Sequence, residues 1–314
     1  GLPDLYVASG GGGEISDSNL LKDRLYINTG QGLFKYAKNG LPEILSSTKS
    51  VTPIDIDNDN DMDLFVAGRN VPGKYPQKAA SYLLENDNGF YKNITNSNLS
   101  GQLANMITDV TAEDVDGDGY TDLMMVGEWS TPQVFINDKN KSFNKREDAN
   151  LDKLTGWWYS VSKGDFNNDG NMDYIVGNLG LNNKFHASDK KPLKVLYDDF
   201  DDNGKLDIVL TKQYNGVEVP VRGKECSSEQ MPMLNKKFKT FDGFASASVE
   251  DILGKGKVKK SQSLKVTDFS SKILLSNGDG FTIKNLPFAA QWAPILDSQV
   301  LDLNNDGNLD VIIA

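Results

Sequence analysis

Five nine-residue segments, DIDNDNDMD (55–63), DVDGDGYTD (114–122), DFNNDGNMD (165–173), DFDDNGKLD (199–207) and DLNNDGNLD (302–310), align without a gap. Positions 1 and 9 are Asp in every copy, and positions 3 and 5 are Asp or Asn. Position 6 is Gly in four copies and Asn60 in the other, while position 7 has no common chemistry. Carboxylates packed this densely repel one another unless something cancels their charge. A chance acidic turn has no reason to keep one register five times. Gly or Asn at position 6 tolerates a left-handed backbone, so the chain can turn sharply there.

Such a turn brings the oxygens of positions 1, 3, 5 and 9 together. Position 7 is free to vary because it contributes its main-chain carbonyl. Six or so hard oxygens at flexible spacing suit Ca2+ better than Mg2+, which demands a tight octahedron and keeps its waters. The predicted ligands are Asp55, Asp57, Asp59, Asp61 and Asp63; Asp114, Asp116, Asp118, Tyr120 and Asp122; Asp165, Asn167, Asp169, Asn171 and Asp173; Asp199, Asp201, Asn203, Lys205 and Asp207; and Asp302, Asn304, Asp306, Asn308 and Asp310. About five structural Ca2+ ions would bring the formal charge of −11 close to neutrality. The loops richest in carboxylate, 55–63 and 114–122, are expected to bind tightest.

An EF-hand needs a bidentate Glu at position 12 inside a helix. Here that position holds Val66, Met125, Val176, Leu210 and Ile313, within LFVAG, LMMVG, YIVGN, IVLT and VIIA. Position 2 is apolar in every copy (Ile56, Val115, Phe166, Phe200, Leu303). Short runs apolar on both faces read as buried strands, so each loop is the turn of a β-hairpin.

A second pattern follows the first. RLYINTGQGLF (24–34), SYLLENDNGFY (81–91), QVFINDKNKSF (133–143) and KILLSNGDGFT (272–282) each read as strand, polar turn, strand. Two hairpins per unit, repeating every 50–60 residues or so, give an all-β fold: a β-propeller of four-stranded blades. The interval from Asp173 to Asp207 is short and implies an abbreviated blade, with NNKFHAS and KPLKVLYD supplying its outer edge and the next inner strand. The longer interval to Asp310 implies an insertion or a blade that has lost its loop, and a helical insertion is read at 222–262 within a single domain spanning 1–314. There SSEQMPMLNKKF has Ser227 and Gln230 at capping-box spacing, and ASASVEDILG ends at Gly254, a fitting C-terminal cap. At the N-terminus GLPDLYVA matches positions 6 to 9 and the following strand, with Asp4 as the ninth position but without the rest of a site. The count is five blades and part of a sixth, so the chain is expected to be a piece of a longer protein.

Composition narrows the function classes. The acidic balance, 44 Asp and Glu against 33 Lys and Arg, argues against nucleic acid or an anionic membrane as partner. No apolar run reaches the roughly 20 residues that span a bilayer. Cys226 and His186 are the sole residues of their kinds, which removes disulfides and multi-histidine zinc sites. Trp157 and Trp158 are adjacent on a strand and face opposite ways, one toward the core and one outward. SGGGG (9–13) lacks the Lys-Ser/Thr of a phosphate loop. NIT (93–95) and NLS (98–100) are glycosylation sequons if the source glycosylates them.

The loops in this setting resemble the FG-GAP/VCBS repeats of integrin α-subunit propellers. The stretches GWWYSVSKGDFNNDGNMDYIVGNLGLNNKF (156–185), PLKVLYDDFDDNGKLD (192–207) and NLPFAAQWAPILDSQVLDLNNDGNLD (285–310) are similar to bacterial secreted repeat proteins related to cartilage acidic protein. The resemblance implies a seven-bladed calcium-binding propeller, extracellular, cell-surface or periplasmic, without established catalysis. Asn60 and Asn203 are mild departures from its pattern. Two classes of function follow. One is a calcium-stiffened binding or adhesion module that meets a protein or glycan through its face loops. The other is a propeller enzyme acting on polysaccharide, a lyase or hydrolase. A cluster of perturbed Arg, Tyr or carboxylate groups away from the five loops would favour the enzyme. No local motif announces catalysis, and the binding module is the preferred expectation.

Overall fold

The computed structural model describes every residue except 1, 96, 104, 105 and 279, and gives the backbone alone for 97, 98 and 100. Asn98 of the second sequon and Asp279 of the KILLSNGDGFT turn therefore have side chains outside the described residues. The chain falls into two compact units, residues 1–182 with 270–314, and residues 183–269.

The larger unit is a series of antiparallel sheets. Leu5–Val7, Arg24–Gly30 and Leu33–Tyr36 form the first. Thr48–Ile54, Asp63–Gly68, Tyr82–Asp87 and Phe90–Asn93 form the second, hydrogen-bonded in chain order. The third is Ile107–Glu113, Asp122–Ser130, Gln133–Asn137 and Phe143–Arg146, with Gly156–Trp157 added beside the far end of its second strand. Ser298–Leu301 and Asp310–Ile313 pair as a final hairpin.

The fourth sheet corrects one expectation. Its inner hairpin, Ser160–Gly164 with Asp173–Gly177, takes its outer pair from Lys272–Ser276 and Phe281–Asn285. Tyr174 stands opposite Leu274 in that register. NNKFHAS forms no outer strand for this sheet, whereas KPLKVLYD does supply the next inner strand, Leu193–Asp198, paired with Asp207–Tyr214 across the loop 199–207. The sheet is of full width, and residues 183–269 leave the chain between its second and third strands.

The first strands of successive sheets, Thr48–Ile54, Ile107–Glu113, Ser160–Gly164 and Ser298–Leu301, adjoin in that order. Side chains tie them: Thr52 Oγ1 donates to the Val110 carbonyl, Asp109 accepts from Val161 N–H, and Ser162 bonds Ser298. The core lies between the sheets. Leu123 and Met125 pack toward the second sheet with Phe65, Leu83 and Phe135. Met124 and Val126, facing the other way, join Trp158, Tyr174, Val176 and Phe281. This two-sided burial is what the doubly apolar strands require. Each fully buried side chain of this size contributes about 1.5–3 kcal/mol.

In the smaller unit, Leu193–Asp198 lies between Asp207–Tyr214 and Gln262–Val266, with Val217–Pro220 on the far edge. Five short helices cover it between Lys224 and Lys260. Met231, Leu234, Phe244, Ile252 and Leu253 pack on Leu196, Phe200 and Val209. Gly254 (φ 91°) ends the helix Val249–Leu253 as expected. The Ser227/Gln230 capping box does not form, because the helix Lys224–Gln230 has already begun at Gly223. Pro232, which lacks an N–H, instead starts the next helix, and the real capping box is Ser248 with Asp251.

Candidate metal centres

All five acidic segments are hairpin turns, with position 9 paired to the residue just before position 1: Ile54 with Asp63, Glu113 with Asp122, Gly164 with Asp173, Asp198 with Asp207 and Leu301 with Asp310. The turns carry two left-handed residues. Position 6 is Asn60, Gly119, Gly170, Gly204 and Gly307, and position 4 is Asn58 (φ 61°), Gly117 (φ 76°), Asn168 (φ 56°), Asp202 (φ 60°) and Asn305 (φ 58°). The second turn was readable in the sequence, since Asn, Gly and Asp are the residues that tolerate this region.

The position 1 carboxylate organises each turn. Asp165 accepts from Asp169 and Gly170 N–H, Asp199 from Asn203 and Gly204, and Asp302 from Asp306 and Gly307. Asp114 accepts from Gly117, Asp118 and Gly119. Position 9 locks the turn to its sheet. One oxygen of Asp63, Asp122, Asp173, Asp207 and Asp310 accepts the position 2 N–H at 2.9–3.0 Å. The other oxygen of Asp63, Asp122 and Asp173 takes the N–H of Asn86, Asn137 and Ser276 on the third strand. Asp4 accepts from Asn28 in the same way, so the N-terminal segment keeps this lock.

Asn28, Asn86 and Asn137 also return their amides to the carbonyls of Pro3, Met62 and Thr121. The sequence reading missed this recurring Asn, although it stands at one position in RLYIN, YLLEN and QVFIN.

Asp55, Asp57 and Asp63, then Asp114, Asp116 and Asp122, then Asp199, Asp201 and Asp207 each bring one carboxylate oxygen per residue within 4.8 Å of the others. These are positions 1, 3 and 9. Position 5 is not in these groups: Asp118 pairs with Lys139 at 3.0 Å, and Asp59 accepts from Asp61 N–H. In the other two loops Asn167 and Asn171 donate to Asp169, and Asn304 and Asn308 to Asp306. At position 7 each N–H bonds the position 5 side chain.

The donor set fits a hard cation. Oδ1 of Asp55, Asp61 and Asp201 is buried without a hydrogen-bond partner, a costly state for a carboxylate unless a cation faces it. Burial pushes the carboxyl groups of Asp63, Asp173 and Asp207 up, and that of Asp122 up to about 6. Backbone N–H bonds pull each of them partly back.

The outer turns add cations that the sequence reading did not assign. Lys141 pairs with Asp57 and Glu85, and Lys139 with Asp118. Turns of neighbouring sheets touch: Asn58 Nδ2 donates to the Gly119 carbonyl, and Asn168 Nδ2 to Asn308 Oδ1.

Residues 1–66 and 114–176 match the family model for the FG-GAP-like repeat. The chain carries FG-GAP-like repeats. No curated protein matches it. Among solved structures, an Agrocybe aegerita lectin described as recognising non-reducing terminal N-acetylglucosamine is 14% identical. The match covers 99% of this chain and 81% of that one at a TM-score of 0.34, too distant to bear on fold or ligand.

A second cluster lies beyond the other end of the strands that begin at Asp63 and Asp122. The Arg69 guanidinium pairs with Glu128 through Nε and Nη2. Tyr75 donates to Glu128 at 3.1 Å and accepts from Trp129 Nε1 at 2.6 Å. Trp129, at φ 57°, meets Trp157 edge-on at 5.1 Å. Trp158 is fully buried and Trp157 half-buried. Among the described residues no helix is long and apolar enough to cross a membrane.

Proposed function

We propose that this FG-GAP-repeat chain is a calcium-stiffened β-propeller recognition module that works outside the cell and binds a protein or glycan through the connections between its strands. The observation that carries this reading is the acidic hairpin turn repeated on adjoining sheets, with partnerless carboxylate oxygens inside it. The ordered adjacency of the first strands supports a ring of blades, and the number seven is what the resemblance to integrin-type repeats implies. Asp55, Asp57 and Asp63, with their counterparts in the other loops, would hold the ions. Calcium there would neutralise the turns and couple each hairpin to its own stiffness. A repeated site of this kind serves the scaffold, which leaves recognition to other surfaces.

The Arg69–Glu128–Tyr75 cluster is the feature an enzyme would use, but its chemistry is poorly placed for proton transfer. Burial drives Tyr75 well above the usual phenol range, far from the neutral values that acid–base catalysis favours. The cluster reads as a rigid support.

Calorimetric titration of the metal-free protein with calcium, with melting curves in calcium and in EDTA, tests the proposal. Saturable binding and a lower melting temperature in EDTA are expected. Sites of about 10⁻⁴–10⁻³ M affinity would each add about 0.4–1.4 kcal/mol at millimolar calcium. An identical melt in both conditions removes calcium from the account.

A further inference from the structure

A cavity of about 360 Å³ opens beside Arg69 and Asn70, at the end of their strand remote from the acidic turn. That volume is in the range of small-molecule sites. Its wall includes Gly11, Gly12, Ser47 and Lys49. Gly10 needs to be glycine, since a Cβ there would sit 2.5 Å from the Thr48 carbonyl oxygen. Gly11 and Gly12 have no such reason. A Cβ at Gly11 would meet nothing within 4 Å, and one at Gly12 only Asn70 Nδ2 at 4.0 Å. What glycine preserves at these two positions is room, the Gly11 backbone being already bonded to the Ser47 hydroxyl through both its N–H and its carbonyl.

The cavity also has fixed positive charge. Glu128, 6% exposed, holds the guanidinium of Arg69 through Nε and Nη2, while Nη1 donates to Asn70 Oδ1. Three of the five guanidinium N–H groups are thereby used and two remain. Lys49 is exposed and has no ion-pair partner among the described residues. Asp23 lies behind the wall, where it accepts from Thr48 Oγ1, so Arg69 and Lys49 are balanced in number by Glu128 and Asp23, and the positive charge that faces the cavity is that of the Arg69 and Lys49 side chains. Ser47 and Asn70, 4% and 1% exposed, are held in place, with Ser47 Oγ accepting from Gly11 N–H and Asn70 Nδ2 donating to the Val71 carbonyl. The wall is hydroxyl, amide and backbone, with no large apolar side chain.

We propose that this cavity binds an acidic sugar, its carboxylate facing Arg69 and Lys49 and its hydroxyls facing Ser47, Asn70 and the Gly12 backbone. The assignment deepens the recognition-module reading and rests on it. A guanidinium already oriented by Glu128 and Asn70 loses little freedom when the carboxylate arrives. A polar wall suits a hydroxyl-rich ring better than an apolar peptide side chain.

The calcium-loaded chain is titrated by calorimetry with digalacturonate, with the neutral digalactoside of the same linkage, and with the dipeptide Glu-Glu. Digalacturonate is expected to bind at least about tenfold more tightly than either of the others, a difference of about 1.4 kcal/mol. Lys49→Gln should weaken it severalfold, and Gly12→Leu, which fills open space, should abolish it while leaving the melting temperature unchanged. Equal affinity for the neutral sugar or for Glu-Glu overturns the proposal, as does undiminished binding by Gly12→Leu. Melts in EDTA on the same samples report on calcium separately, so loss of one reading is distinguishable from loss of the other.

Discussion

The ammonium of Lys141 lies 2.5 Å from a carboxylate oxygen of Asp57, so the outer hairpin of one sheet reaches into the acidic turn of its neighbour. Asp57 is the position 3 carboxylate of its turn, and the same lysine pairs with Glu85. The protein thus carries its own cation at a place where calcium would bind. Removing it frees the carboxylate for the ion and exposes the turn to its own repulsion when the ion is absent. Lys141→Gln is expected to tighten calcium binding at loop 55–63 by about two- to fivefold, the scale of a partly exposed ion pair. It should also lower the melting temperature in EDTA. Calorimetry on the variant checks both the affinity and its sign; weaker binding would mean that Lys141 supports the site. Lys141 and Lys139 also bear on the ranking drawn from carboxylate count, since both act on the two loops expected to bind tightest.

Asp173 has a second duty that a pure ligand would lack. It is fully buried and accepts N–H bonds from Phe166 in its own turn and Ser276 on the third strand of its sheet. Asp173→Ala leaves two buried donors without partners, at about 1–3 kcal/mol each. Urea unfolding in EDTA should show a loss of about 2–4 kcal/mol. Asp302→Ala, in an exposed turn, should cost less than about 1 kcal/mol under the same conditions. A loss for Asp173→Ala no larger than that for Asp302→Ala would mean that the two N–H bonds of position 9 add nothing to the metal-free fold.

The turns were legible because their determinants are local. Asp at positions 1 and 9 and a left-handed residue at position 6 specify one hairpin within nine residues, and the apolar flanks name the strands. The fourth sheet was not legible in the same way. KILLSNGDGFT announces an outer hairpin, but no local feature says that it pairs with Asp173–Gly177 across the intervening 183–269. Strand pairing over that distance is decided by burial of Tyr174, Leu274 and Phe281 against one another, which a linear pattern does not display. The Arg69–Glu128 pair, 59 residues apart in the chain, was hidden for the same reason.

Position 4 offers a test of the backbone account that is independent of any ligand. Asn305 has φ 58° in an exposed turn. Asn305→Ala keeps a Cβ in the left-handed region and loses the short polar side chain that tolerates it, whereas Asn305→Gly removes the Cβ and with it a cost of about 1–2 kcal/mol. Denaturant unfolding in EDTA should separate the two variants by about 1 kcal/mol in favour of glycine. A tie would mean that the turn relaxes out of the left-handed region.

Protons and calcium should compete at Asp122. Burial raises its carboxyl from the ordinary 3.8 to about 6, against the lowering effect of the Asn137 and Val115 N–H groups and with Asp116 and Asp114 raising it further. In the metal-free protein the folded state therefore holds this proton more tightly than the unfolded chain. Its contribution to stability is fully present below about pH 3.8 and is lost as the pH rises through about 6. Calcium reverses the preference, because the ion needs the ionised carboxylate. Binding at pH 6 should release a proton from Asp122, and binding at pH 7.5 should release almost none from it. Titrations at pH 6 in two buffers of different ionisation enthalpy should give different heats, and the gap should close at pH 7.5. The melting difference between calcium and EDTA should likewise shrink at pH 5, where protons already occupy the group that the ion requires. Equal heats in both buffers at pH 6 would mean that Asp122 is already ionised in the metal-free fold.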